Sequence, residues 1–168
     1  LNKIDVTAKD DDGNNILHYV FKAWSFDLEI AEYLISLKKF NVNEPGRNKR
    51  TIFLYACDAS DLDAIKYVVS LKGVDFKAKD DDGNNGLHLA CNNQNFDMVK
   101  YLVSLKAIDL DDKNDDGKTP LDLVKKEEKN SDDDNSNDEE EDEAFGFDDS
   151  DDNENADKLK IYEFLSNL

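Results

Sequence analysis

One short phrase recurs three times along this chain, at a constant spacing of 34 residues. It combines a tyrosine, two branched aliphatic residues and the sequence Ser-Leu-Lys, and its copies are YLISLKK at 33–39, YVVSLKG at 67–73 and YLVSLKA at 101–107. A constant period of roughly 20 to 50 residues is typical of stacked structural repeats, because one short unit cannot bury its own apolar face. The spacing therefore predicts a solenoid instead of a globule with one central core.

Each unit reads as two short helices joined by a turn. In the third unit, apolar residues at helical spacing occupy 87–91 and 98–105, and the polar segment 92–95 separates them. A charged connector at 79–83 precedes the first helix, where aspartate favours the positive end of the helix dipole and glycine supplies a tight bend. We therefore predict an all-α fold of helix-turn-helix units, with β-hairpin or turn connectors between them.

The residues that follow the connectors resemble the ankyrin repeat family. The segment GKTPL at 117–121 matches the family's Gly and Thr-Pro-Leu positions, and the first and third units keep Gly, Leu and His in GNNILH at 13–18 and GNNGLH at 83–88. The second unit diverges, with Lys49 where the family has glycine. The resemblance covers about residues 1–126. It implies that His18 and His88 each make a structural hydrogen bond to a neighbouring connector.

The repeat boundaries follow from this alignment. We predict a partial repeat at 1–12 and units that start at about residues 13, 49, 83 and 117, so that the repeats occupy 1–126. The first unit is two residues longer between its helices, and we expect a bulge at 22–25. Residues 1–13 align with residues 71–83, the end of one unit and the start of the next. We therefore expect the chain to be a fragment of a longer array.

An acidic segment interrupts the last unit. The net charge of the chain is -19, and residues 130–157 hold 15 Asp or Glu residues and no Lys or Arg. Such a segment repels itself and has little to bury, so we predict a disordered insertion at 127–157. Residues 158–168 then supply the second helix of a C-terminal capping repeat, because Ile161, Phe164, Leu165 and Leu168 share one helical face. Alternatively, this helix is a free amphipathic peptide that binds another protein.

The acidic insertion itself has two interpretations. It is either a solubilising loop or an interaction segment, and the second is favoured by Phe145 and Phe147, which interrupt the acidic residues. Ser131 and Ser136 each have an acidic residue three positions later, which makes them candidate phosphorylation sites.

Several classes of function lack support in the sequence. Nucleophile motifs and glycine-rich phosphate loops are missing, so we expect no enzyme activity, no cofactor and no metal site. The acidic composition disfavours nucleic acid, and no apolar run reaches the ~20 residues that a membrane span needs. We expect a soluble, monomeric, intracellular protein, cytoplasmic or nuclear. Cys57 and Cys91 occupy the same place in successive units and should be free, buried thiols.

The resemblance implies that a protein partner binds the concave face, which the connector tips and the first helices form. Carried over position by position, the candidate residues form an apolar stripe with polar margins and one basic connector. They are Tyr19, Lys22, Trp24, Arg47, Lys49, Arg50, Tyr55, Asp58, Leu89 and Asn92. Alternatively, the tyrosines only pack against adjacent connectors.

Three functional hypotheses follow. The first is a scaffold or adaptor that binds a protein partner on the repeat face. The second is that the acidic insertion engages a basic protein, or instead covers the repeat surface by docking on Arg47, Lys49 and Arg50 with Phe145 and Phe147 against the tyrosines. The third is that the repeats deliver substrates to an enzyme domain encoded elsewhere.

Overall fold

The computed structural model describes residues 5–22, 26–125 and 151–168, and for 151–155 it describes the backbone only. These residues form eight α-helices, one 3-10 turn at Arg47–Lys49 and no strand, which confirms the predicted all-α fold. The helices are α1 (Ile16–Lys22), α2 (Leu28–Ser36), α3 (Ile52–Asp58), α4 (Leu62–Ser70), α5 (Gly86–Asn92), α6 (Phe96–Ser104), α7 (Pro120–Val124) and α8 (Asp151–Ser166).

Each helix of the first three units and α7 begins at a side-chain cap that the sequence supplies. The first helices follow Asn15, Thr51, Asn85 and Thr119, whose side-chain oxygens accept backbone N–H groups of the first turn. The second helices follow Asp27, Asp61 and Asn95, which do the same. A cap of this kind contributes about 1 kcal/mol to a helix, and helices of five to nine residues depend on it because they are too short to be stable alone.

The first helices form the central row of the stack. Helix α3 packs between α1 and α5, and α5 packs between α3 and α7, while each second helix packs mainly on its own first helix. Consequently every residue of α3 from Ile52 to Cys57 and every residue of α5 from Gly86 to Cys91 is buried. Aromatic pairs join successive units, such as Phe21 with Tyr67 at a centroid distance of 6.3 Å.

The connectors are turns linked to one another by backbone hydrogen bonds. In three of them a glycine takes the left-handed conformation, at φ values of 82° for Gly13, 74° for Gly83 and 73° for Gly117. In the divergent second unit, Asn48 and Lys49 adopt φ values of 56° and 55°. A non-glycine residue in this region costs roughly 1–2 kcal/mol, so this connector carries strain that the others avoid.

The two histidines brace the connectors, which confirms the role that the family resemblance implied. The Nε2–H of His18 donates to the carbonyl of Glu44 at 2.8 Å, and that of His88 donates to the carbonyl of Lys118 at 2.9 Å. Each Nδ1 accepts the backbone N–H of the cap residue before its helix, Asn15 or Asn85. Both rings are buried, so each histidine ties one unit to the next through a water-excluded hydrogen bond.

The burial of His88 predicts a pH-dependent stability. Loss of hydration lowers the pKa of His88 below its ordinary value of 6.5, although the nearby carboxylates of Asp112 and Asp80 act in the opposite direction. Between the folded and unfolded pKa values the unfolded chain binds more protons, so this contribution is complete above pH 6.5 and is lost as the pH falls through the folded value. Urea unfolding should therefore show a larger loss of stability from about pH 7.5 to about pH 5.5 in the native chain than in His88→Gln. Equal losses in both chains would contradict this origin.

The C-terminal helix α8 covers the far end of the stack. It packs against α6 and α7, with Ile161 fully buried and the ring of Phe164 edge-on to Phe96 at 5.8 Å. The helix begins at Asp151, seven residues before the predicted start at 158, so residues 151–157 are helical and the predicted limits of the insertion need correction. Acidic residues favour a helix N-terminus because they interact with the helix dipole, which accounts for the earlier start.

Other predicted features fall outside the described residues. Most of the expected bulge at 22–25 does so, as does the acidic segment at 126–150.

Cys57 and Cys91 lie within the described part, and both are free and buried, as predicted. Burial raises the pKa of the Cys57 thiol far above its ordinary value and that of Cys91 to about 12, so neither is a reactive thiolate at neutral pH.

Candidate partner-binding surface

A groove of about 630 Å³ crosses the ends of the first helices and spans three units. We call it the first-helix groove; it is lined by Lys22, Tyr55, Asp58, Ala59, Ser60 and Asn93. A second depression of about 410 Å³ adjoins it through Ser60 and Asn93 and reaches Asp157 and Lys160 of α8. Because the two depressions share these residues, they form one trough along the array.

Tyr19 and Lys22 form the exposed edge of this groove. The amine of Lys22 lies 5.9 Å from the ring centroid of Tyr19 and 6.0 Å from that of Tyr55, within the range of a cation–π interaction. The hydroxyl of Tyr19 donates to the carboxylate of Asp10 at 2.5 Å, and this bond lowers the pKa of Asp10 and raises that of Tyr19. Tyr19 is therefore held in place while half of its surface stays open to solvent.

Two residues of the predicted apolar stripe are buried. Tyr55 donates its hydroxyl to Asn14 Oδ1 at 2.8 Å and packs beneath the connectors, and Leu89 lies in the core of α5. Burial also raises the pKa of Tyr55. The two side chains are therefore not exposed in the way the predicted stripe implied. Tyr55 is joined to the connector of the preceding unit through Asn14, and it also lines the first-helix groove.

The predicted basic docking spot is already neutralised within the array. Arg47 pairs with Asp12 at 3.5 Å, and Lys49 pairs with Asp81 at 2.8 Å, which raises the pKa of Lys49. Arg50 bridges Asp58 at 2.5 Å and Asp80 at 3.3 Å. These pairs join successive connectors, so the three cations serve the stack instead of forming a free positive patch. An acidic insertion that docked there would have to compete with these pairs.

The connector tips are instead acidic at the surface. Asp11, Asp82, Asp115 and Asp116 are exposed and make no ion pair with any other described residue. They recur because the connector sequence recurs with the repeat. A row of like charges raises the local concentration of counter-ions and favours ligands of opposite charge.

The turn after each first helix contributes residues that the sequence analysis missed. Asn93 Nδ2 donates to the carbonyl of Asp58 at 2.7 Å, and Asn95 Nδ2 donates to the carbonyl of Ser60 at 3.2 Å, so the turns of successive units are tied together. Ser60 and Asn93 line the groove, whereas the predicted Asn92 is exposed beside it. The sequence feature that could have pointed to Ser60 and Asn93 is their position in the polar segments that follow α3 and α5.

The comparison with known protein families agrees with this repeat architecture. A model of ankyrin repeats matches residues 1–80 and 60–128, in three copies. The chain belongs to the ankyrin repeat family. Ankyrin repeats typically act as protein–protein interaction modules and are generally non-catalytic. A search of curated proteins gave no match to this ankyrin array.

Several predicted residues of this ankyrin protein cannot be placed. Trp24, Phe145, Phe147, Ser131 and Ser136 lie outside the described residues. Within the described ranges no cluster of three or more His, Cys, Asp or Glu residues could hold a metal ion. In the same ranges, every helix is too short or too polar to cross a membrane.

Proposed function

We propose that this ankyrin array is a non-enzymatic adaptor that binds a protein partner along the first-helix groove. The observation that carries the proposal is the trough itself, which crosses three units and has Tyr19 and Lys22 uncovered at its edge. An aromatic ring fixed by a hydrogen bond provides contact area at little entropic cost on binding. The units beneath the groove are tied together by the bonds from Tyr55 to Asn14 and from Asn93 to Asp58, so binding requires little reorganisation.

The charges around the groove favour a partner segment that carries basic residues. The acidic connector tips attract such a segment, and the carboxylates of Asp11, Asp82, Asp115 and Asp116 there make no ion pair with another described residue. Lys22 sits at the opposite edge and would favour one acidic or carbonyl group in the same ligand. The proposed ligand is therefore an extended peptide with several basic residues.

A second candidate function rests on the acidic insertion, which holds most of the acidic excess of the chain. In this alternative the insertion engages a basic protein, and the repeats only display it. The related hypothesis, in which the insertion covers the repeat surface, loses support because Arg47, Lys49 and Arg50 are paired within the array. Both candidates predict affinity that falls with salt, so salt dependence alone does not separate them.

Substitutions in the groove separate the two candidates. A binding peptide would be selected from a displayed library of random peptides and its affinity measured by fluorescence anisotropy. We expect Tyr19→Ala combined with Lys22→Ala to weaken binding about tenfold or more, because interface energy concentrates in a few aromatic and charged residues. Deletion of residues 130–150 should leave the affinity unchanged.

The matched control is Tyr33→Ala, which removes another exposed tyrosine, on α2 and away from the groove. It should leave affinity unchanged. Binding that survives the double substitution but is lost on deletion of 130–150 would overturn the groove proposal in favour of the acidic segment.

A further inference from the structure

Three buried side-chain polar atoms in the described part of the chain make no hydrogen bond, and all three lie beside the trough. They are Arg50 Nε, Ser60 Oγ and Gln94 Oε1. Ser60 and Gln94 line the second depression, and the guanidinium of Arg50 bonds Asp58, a residue of the first-helix groove. Buried polar atoms in native proteins nearly always have a partner, and one without a partner lowers stability. Their grouping along one surface is therefore more typical of a binding site than of a packed interior.

Ser60 and Gln94 occupy equivalent positions in successive units. Each is the second residue after a first helix, α3 or α5, and the two are 34 residues apart. Both take the left-handed backbone conformation, at φ values of 57° and 53°. Stacked helices lie roughly 8 to 10 Å apart, so the trough presents one such side chain in each of two neighbouring units.

The neighbours of Gln94 are already committed to bonds within the array. Asn93 Nδ2 donates to the carbonyl of Asp58. Asn95 Nδ2 donates to the carbonyl of Ser60, so both flanking amides tie units together. Rotation about the last side-chain bond of Gln94 exchanges its Oε1 and Nε2, and Ser60 Oγ turns about a single bond. Gln94 Oε1 and Ser60 Oγ can therefore turn toward the depression without giving up an internal hydrogen bond.

The charged residues that line the second depression are paired within their own helices. Lys160 Nζ lies 2.9 Å from the carboxylate of Asp157 on α8. The carboxylate of Asp97 lies 2.8 Å from Lys100 Nζ on α6. Each carboxylate has a cation of its own, which favours a neutral ligand group over a charged side chain at this point.

We propose that the second depression binds main-chain peptide groups of the partner, with Gln94 bonding one peptide group and Ser60 bonding another. This inference rests on the proposed function, because it concerns the same trough. A carboxamide offers both donors and an acceptor, which match the C=O and N–H of a neutral peptide group. An extended chain rises about 3.3 Å per residue, so two residues one unit apart would meet positions about three residues apart in the partner. A single side-chain amide of the partner would meet only one of them.

Backbone ester substitution tests this in the peptide selected for the groove. Each N–H is replaced in turn by an ester oxygen, which removes one donor and preserves the shape of the chain. With the native protein we expect one ester to weaken binding about threefold to tenfold, the effect of one hydrogen bond. Gln94→Leu should weaken the unmodified peptide by a similar factor and should make that ester cost nothing further. Ser60→Ala should do the same for an ester about three residues away.

Two controls accompany these measurements. Tyr33→Ala, on α2 and away from the trough, should leave every ester effect as it is in the native chain. Without any ligand, Gln94→Leu should keep or raise the urea midpoint of unfolding, because Gln94 Oε1 has no internal bond to lose. If the leucine variant does not fold, Gln94→Gly repeats the measurements, since glycine suits a φ of 53°.

Ester effects that are equal in the native chain and in Gln94→Leu would overturn the inference, and so would a clear fall of the urea midpoint. It would also fail if affinity depended on an Asn or Gln side chain of the peptide at that position instead of its backbone. The proposed function fails separately, when Tyr19→Ala with Lys22→Ala leaves the affinity unchanged. A peptide that responds to the double substitution but shows no coupling to Gln94 keeps the proposed function and rejects only this inference.

Discussion

Replacement of Arg50 by alanine should lower the free energy of unfolding by about 3 kcal/mol, the lower end of the cost of breaking a buried ion pair. The side chain of Asp80 is almost completely buried, and Arg50 is its cation at 3.3 Å. Without Arg50 this buried carboxylate would lose its cation in a site with little water. Asp80 keeps the backbone N–H groups of Asp82 and Asn84, which is why we expect the lower end of the range. Urea unfolding followed by circular dichroism measures the change.

Lys49 provides the matched control for Arg50, one residue away on the same connector. Its pair with Asp81 is largely exposed, so Lys49→Ala should cost much less stability than Arg50→Ala. The double variant Arg50→Ala with Asp80→Asn should recover part of the loss, because it also removes the buried charge. Equal effects of Arg50→Ala and Lys49→Ala would show that the Arg50 bridge is not a structural one.

Replacement of Ile161 by alanine should cost about 2–5 kcal/mol, the range for removing a large aliphatic side chain from a packed core. Ile161 is fully buried where α8 meets α6 and α7. Since each unit of a solenoid contacts only its neighbours, the loss should fall mainly on this end of the array. Hydrogen exchange should therefore accelerate in α8 and α6 more than in α3.

Leu159 is the control for Ile161, two positions earlier on the same helix and partly exposed. Leu159→Ala removes a side chain of similar size and should change stability by less than about 1 kcal/mol. A similar loss for both variants would mean that α8 does not seal the stack through Ile161. Uniform acceleration of exchange through α3 would instead show that the array unfolds as one unit.

The period of 34 residues was enough to predict the repeat architecture, and individual residues show why. The caps at Asp61 and Asn95, the glycines of the connectors and the histidines all act through neighbours close in sequence or at one repeat spacing. Such contacts are repeated with the sequence, so a pattern in one unit predicts the same contact in the next. The burial of Cys57 and Cys91 followed for the same reason.

The candidate surface was less predictable. Tyr19 and Tyr55 hold the same repeat position, yet Tyr19 is exposed and Tyr55 is buried under a neighbouring connector. The basic connector looked free in the sequence, but Arg47, Lys49 and Arg50 are each paired with an acid at least eight residues away. Exposure and ion pairing depend on which unit lies alongside, and repeat position alone does not carry that information.

The sequence by itself determined the repeat, its helix pairs and its connectors, because these arise from periodic apolar residues, caps and turn glycines that act over short distances. Only the tertiary structure decided which members of each equivalent set face solvent, which cations are neutralised and which end of the stack is covered. The physical reason is that burial and electrostatic pairing are properties of the interface between units, and a unit at an end has only one such interface.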